Sequence, residues 1–374
     1  MGRIHWAGTG LSAVPGLRRL LAEGAPVTVW NRTPAKAEAA VGDLTDDIRR
    51  FDPEALAAAL APGDVVVSML PGDWHVPLAR AAIAAGAHFV SSSYISDEMR
   101  ALDAEARARG VALVNEVGLD PGIDHLMAHD LVRAFRELAQ PGDRVRFVSY
   151  CGGVPARPND FRYKFSWSPL GVLKALRSPA RAILEGEERR IGRPWEGLSL
   201  YEAPLPRPER FEVYPNRDSL PFMAEYGFDP AWRVETFVRG TLRLEGWARA
   251  WAAIFEQVER LDDAALAALA DELWRAHAYE EGEPDRVVLI VALSAERGGE
   301  TVFDRAWVLD ATGDARGSAM ARLVSTPVSL AVEAARAGRM TPGVQAAPSD
   351  PALVSEWLAR VGREAQHMER IERL

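Results

Sequence analysis

For its first 140 residues the chain alternates short apolar runs with longer amphipathic stretches. Residues 4–7, 27–30, 64–71, 88–94 and 111–114 read as strands, the fourth with a hydroxyl-rich exit. Leu17, Leu20 and Leu21 carry a helical period, as do residues 75–85, closed by Gly86, and 123–138. Ser96 is placed to cap one further helix that closes at Gly110, with Asp97 and Glu98 in its first turn. Strands alternating with helices predict an α/β fold with a parallel, doubly wound Rossmann-type sheet.

The pattern changes after Arg136. Residues 144–150 alternate with period two, and strand-like pieces return at 237–243, 287–293 and 301–309, predicting an α+β second domain whose sheet can cover the crevice beyond the parallel strands. Trp247 and Trp251, spaced i,i+4, read as core, and 262–277 as an amphipathic helix in a small helical insert at about 255–285. An apolar helix runs through Pro327, Leu330 and Val332, and a charged final helix is expected to reach Leu374. The expected division is a Rossmann-type domain at 1–125 and an α+β domain at 126–374, with C-terminal helices packing back on the first.

Gly8-Thr9-Gly10-Leu11-Ser12-Ala13 follows the first strand and matches G-x-G-x-x-A. Gly8 permits the tight turn, Gly10 a close approach to a pyrophosphate at the helix N-terminus, and Ala13 close helix packing. The second strand exits at Asn31-Arg32-Thr33, where an NAD site usually carries an Asp or Glu. Arg32 can pair with a 2′-phosphate and Thr33 can donate to it, so NADP is favoured, with NAD as the alternative. Leu70 falls at the end of the third strand run, and a nicotinamide ribose could lie at the loop after it.

Composition narrows the class. Among 374 residues, 48% are hydrophobic, 26% charged, and the net charge is −9, which argues against a nucleic-acid partner. The single cysteine, Cys151, suits a reducing, cytoplasmic setting. No apolar run approaches a membrane span, and no signal peptide is expected before the first strand. The expected partner is a small molecule, and a homodimer is allowed.

Two strand exits concentrate the chemistry: Ser92-Ser93-Tyr94, and 115–126 with its sequence Asn-Glu-Val-Gly-Leu-Asp-Pro-Gly-Ile-Asp-His-Leu. Ligands of open α/β sheets sit beyond such strand ends. Arg217 and Arg239 are singled out as loop-placed guanidinium forks for carboxylates. His125 and His129 share a helix face but lack the H-E-x-x-H glutamate, so no metal site is expected.

These segments, with residues 149–153, 163–168, 214–219 and 238–243, resemble the saccharopine reductase family, the glutamate-forming saccharopine dehydrogenases of lysine metabolism. The resemblance runs over roughly residues 1–250 and weakens after about 260. It implies that Gly10, Leu11, Arg32, Thr33, Ser92, Ser93, Leu119, Pro121 and Trp167 contact NADP. It implies that Ser93, Tyr94, Asp120, Arg217, Gly240 and Thr241 contact saccharopine, with Arg239 close by. Asn31 stands where relatives often have another small residue. Asp120 is the expected partner of the substrate amine and its general base. A carboxylated-polyamine dehydrogenase and a non-catalytic NADP-binding regulator are the alternatives.

Overall fold

Seven parallel strands build the first sheet of the computed structural model, which describes residues 2–373. They are β1 (Ile4–Ala7), β2 (Val27–Asn31), β3 (Ile48–Arg50), β4 (Val65–Ser68), β5 (His88–Ser91), β6 (Ala112–Val114) and, returning late in the chain, β15 (Gly343–Gln345). Their order is β15-β6-β5-β4-β1-β2-β3. The central strands β1, β2, β4, β5 and β6 are buried along nearly their whole length, as expected where helices cover both faces of such a sheet, whereas the edge strand β3, Ile-Arg-Arg, is largely exposed. Trp6, Val29, Val67 and Phe89 are fully buried in it.

The second sheet is mixed and nine-stranded. It comprises β7 (Arg144–Pro155), β8 (Ala180–Leu184), β9 (Glu187–Ile191), β10 (Ser199–Ala203), β11 (Glu209–Pro215), β12 (Arg233–Leu244), β13 (Asp285–Arg297), β14 (Glu300–Thr312) and β16 (His367–Glu372). The order is β10-β11-β12-β7-β13-β14-β16, with β8 and β9 attached through β12. Beside it, helices Ala252–Arg260 and Asp263–His277 enclose an aromatic core of Tyr163, Phe165, Trp247 and Trp251.

The chain forms two compact units, residues 1–126 with 321–361, and residues 127–320 with 362–374. Residues 321–361 therefore group with the nucleotide fold rather than with 126–320. The reason is local to that unit: β15 pairs with β6, and the Gly16 amide donates to Ser325 Oγ at 2.8 Å. A side chain at Gly16 would meet the Ser325 carbonyl oxygen at 2.1 Å, so glycine permits this approach.

Two local expectations are corrected. The single helix capped by Ser96 is two, Asp97–Arg100 and Asp103–Arg109, because Leu102 between them turns into the apolar core. The charged C-terminus is not a helix to its end. It holds the helix Pro351–Val361 and then strand β16, antiparallel to β14, with Ile371 packed on the sheet's apolar cluster. Leu374, its expected end, lies outside the described residues.

Candidate active site

Beyond β1 the chain turns at Gly8, whose φ of 103° lies in the left-handed region and whose amide donates to the Trp30 carbonyl at 2.8 Å. The following helix, Val14–Ala22, has no side-chain cap and no acidic residue in its first turn. Its amides and dipole therefore suit an anion. At Gly10 a Cβ would point into open space, and Leu11 is exposed at 54%. Asn31 closes the turn sideways, donating from Nδ2 to Thr9 Oγ1 at 2.8 Å and to the Thr33 carbonyl at 3.1 Å. Arg32 and Thr33 are exposed beyond β2 and Ser12 is half-buried. These features fit a dinucleotide with a 2′-phosphate.

The exits of β4, β5 and β6 lie side by side. Leu70 is half-buried after β4, and Ser92 Oγ lies 4.0 Å from Met69 Sδ. The exits of β5 and β6 come close enough that a Cβ on Gly118 would stand 3.0 Å from the Ser92 Cβ. Leu119 and Pro121 are buried, Asp120 is half-exposed, and the Asp120–Pro121 peptide is cis. The Tyr94 hydroxyl donates to Asp120 Oδ1 at 3.2 Å, so the two strand exits are joined by the pair of residues expected to touch substrate.

Beneath that pair lies a support that the sequence does not announce. Glu116 adopts φ 55° and is buried. Its Oε1 accepts the Ile95 amide at 2.8 Å, and its Oε2 lies 2.9 Å from His125 Nε2. His125 is thus committed to the support of the turn. Among the described residues no cluster of three or more His, Cys, Asp or Glu side chains is arranged to hold a metal.

The second unit gathers its own candidates at one end of the β11–β12 pair. Pro215 is in register with Gly240, and Tyr214 with Thr241. Arg217 follows β11 with φ 57° and is exposed. Arg239 corrects the loop expectation. It lies inside β12, 4% exposed, with its guanidinium 4.0 Å above the Phe222 ring. A Cβ on Gly240 would meet the Tyr214 carbonyl oxygen at 2.6 Å and the Tyr150 ring at 2.9 Å. Trp167, half-buried, precedes the helix Pro169–Arg177 that Ser168 caps. Arg243, not singled out from sequence, is buried among Tyr163, Tyr214 and Trp247 at 4.8, 5.8 and 5.5 Å.

A glycine turn on a parallel sheet, joined to a mixed-sheet unit presenting arginines, defines a dinucleotide-binding α/β protein with a second α+β unit. The chain belongs to the saccharopine dehydrogenase family: residues 4–114 match the saccharopine dehydrogenase NADP-binding domain and residues 118–366 the saccharopine dehydrogenase C-terminal domain. It is 38% identical over 267 residues to saccharopine dehydrogenase [NADP(+), L-glutamate-forming] of Saccharomyces cerevisiae, covering 69% of this chain and 58% of that one. The same enzyme of Pyricularia oryzae is 38% identical over 249 residues, 64% of this chain and 54% of that one. The matches thus span little more than half the length of these fungal relatives. The apo structure of the Saccharomyces cerevisiae enzyme superposes with a TM-score of 0.81 at 26% identity, covering 99% of this chain and 100% of that one. Homospermidine synthase of Legionella pneumophila shares the fold at 10% identity, with a TM-score of 0.68, 99% of this chain and 91% of that one.

Proposed function

We propose that the chain interconverts saccharopine with L-glutamate and 2-aminoadipate 6-semialdehyde, an NADP-dependent oxidation at a CH–NH bond in lysine metabolism. The observation that carries this reading is the Tyr94–Asp120 pair, set where the exits of β5 and β6 meet in the nucleotide unit. Family membership supports it.

NADP, when bound, supplies the hydride acceptor. Gly8, Thr9, Gly10, Leu11 and Ser12 would receive its pyrophosphate, Arg32 and Thr33 its 2′-phosphate, and Leu70, Ser92, Leu119, Pro121 and Trp167 would border the remainder. Asn31 holds the glycine turn in place through Thr9. Asp120 takes the proton of the substrate's secondary amine, which must be neutral before its CH hydride can leave. The Tyr94 hydroxyl fixes the orientation of that carboxylate. After water adds to the imine carbon, Asp120 returns a proton to the nitrogen that departs with glutamate. Arg217 and Arg239 anchor the carboxylates of a triply anionic substrate, and Gly240 and Thr241 let it approach the β12 backbone. We place the reaction in the cytoplasm, where Cys151, which is in no disulfide here, would stay reduced.

The test is an assay of the chain with saccharopine and NADP, repeated with NAD. Formation of NADPH together with glutamate is expected. Tight NADPH binding without turnover of saccharopine would remove this reading.

A further inference from the structure

β4 and β5 are neighbouring parallel strands, with Ser68 in register with Ser91. Ser68 ends β4, and Ser93 stands two residues beyond β5. The His75 ring bridges them, with Nδ1 2.8 Å from Ser68 Oγ and Nε2 2.8 Å from Ser93 Oγ. Among the described residues no other hydrogen bond reaches either hydroxyl. The ring is buried against the edge of Phe89, with centroids 6.3 Å apart. Burial pushes its pKa down to about 4, against the raising influence of Asp73, so the imidazole is neutral near neutral pH.

A neutral imidazole has one N–H and one lone pair, so the two serines play opposite roles. Ser68 decides which. It is 1% exposed, and His75 Nδ1 is the acceptor its hydroxyl proton has. Were Nδ1 protonated, that buried proton would be stranded, at a cost that buried donors rarely bear. Nδ1 therefore accepts from Ser68, and Nε2–H donates to Ser93 Oγ. The proton of half-buried Ser93 is then turned away from the ring.

We propose that His75 is a positioning residue: it ties the ends of β4 and β5 and fixes Ser93 as a hydrogen-bond donor to a carboxylate oxygen of the substrate. The identity of that carboxylate rests on the saccharopine reading, whereas the tautomer rests on the geometry alone. The role is distinct from that of Asp120, since His75 acts through Ser93 and exchanges no proton with the reacting nitrogen.

Two measurements on the full chain test it. With ¹⁵N-labelled histidine, the His75 signals, assigned by their loss in His75→Gln, should show a neutral ring protonated at Nε2 from about pH 5.5 to 8.5. An Nδ1-protonated ring, or titration near the ordinary value of about 6.5, would overturn the proposal. In kinetics, His75→Leu should raise the KM for saccharopine about 10–100-fold while the KM for NADP changes less than about threefold. His75→Gln, whose amide can reach where Nε2 stood, should recover most of the loss. Ser93→Ala should match His75→Leu, and the double variant should be no worse than either. Multiplying effects would show the two residues acting independently and sink the idea. If His75→Leu fails to fold, the tautomer and the glutamine variant still decide. If the wild type does not turn over saccharopine, the functional reading falls and the tautomer alone judges the tie.

Discussion

Asp120 and His75 show what single residues contribute and how visible they are beforehand. Asp120 stands out in sequence because glycines and a proline crowd around it in a turn between an apolar strand and a periodic helix. Replacing it with Asn keeps the shape and the Tyr94 contact but removes the carboxylate we propose as the base. We expect kcat to fall by about 10²–10⁴, the usual range for a general base, with NADPH affinity, read by fluorescence titration, nearly unchanged. Full turnover with only weakened saccharopine binding would transfer the base to another group. His75 and Glu116 were illegible because what they hold lies elsewhere in the chain: Ser93 for one, Ile95 and His125 for the other. No periodicity marks such a partner. His75 also carries a stability consequence. Its folded pKa is near 4 and its unfolded value is about 6.5, so between these the unfolded chain binds the extra proton. Stability is full above about pH 6.5 and falls as pH drops towards 4, by up to about 3 kcal/mol from this residue. Urea unfolding across that interval should be visibly flatter for His75→Gln than for the wild type.

At the scale of elements, local pattern was informative wherever an element's own residues decide its form. Helix His75–Ala85 ends at Gly86 with φ 72°, and Asp263–His277 starts on its Asp262 cap, both as their capping chemistry predicts. Where a distant strand decides, the pattern misleads. Residues 367–372 are too charged to announce a strand, and only pairing with β14 makes them one. β7 is the sharper case, since a strand read as ending at Tyr150 continues through Gly152 and Gly153 to Pro155. Gly152 is there because a Cβ would stand 2.1 Å from the Leu242 carbonyl oxygen on the adjacent β12. Backbone cannot yield as a flexible side chain would. Gly152→Ala should therefore push β12 away from β7, costing about 2–3 kcal/mol. Because Gly240 and Thr241 lie on that stretch of β12, the KM for saccharopine should rise with the fall in Tm. An alanine variant with wild-type Tm would show that the ladder has slack.

Across the whole molecule, a hand-over near residue 126 was expected because the periodicity of the chain changes soon after it, and the first compact unit runs to residue 126 before resuming at 321. C-terminal helices packing back on the first domain were expected, but the residue at which the chain returns, 321, was not legible, because nothing local in an apolar helix marks that point. In the structure that return is specified by contacts over 300 residues in sequence. Gly16 donates to Ser325, and Arg19 bonds to Ser329 Oγ at 3.0 and 2.9 Å and to Glu333 at 2.9 Å. Arg336 donates to the Gly2 carbonyl at 2.9 Å. At the sheet's edge, β15 covers β6 over three residue pairs, leaving β6 shielded from intermolecular pairing. The nucleotide unit is thus discontinuous, and residues 1–126 should not suffice for it. Expressed alone, they should aggregate or unfold without a cooperative transition, since they lack the edge strand and the partner of Gly16. Residues 1–126 joined through a short glycine–serine linker to 321–361 should unfold cooperatively in circular dichroism and retain NADPH binding. Ser325→Val in the full chain supplies the graded form of the same test. It strips the acceptor from a buried amide and should cost about 1–3 kcal/mol. If residues 1–126 alone melted as sharply as the joined chain, the late helix and β15 would be ornament rather than part of the fold, and the two-unit division would have to be redrawn at residue 126.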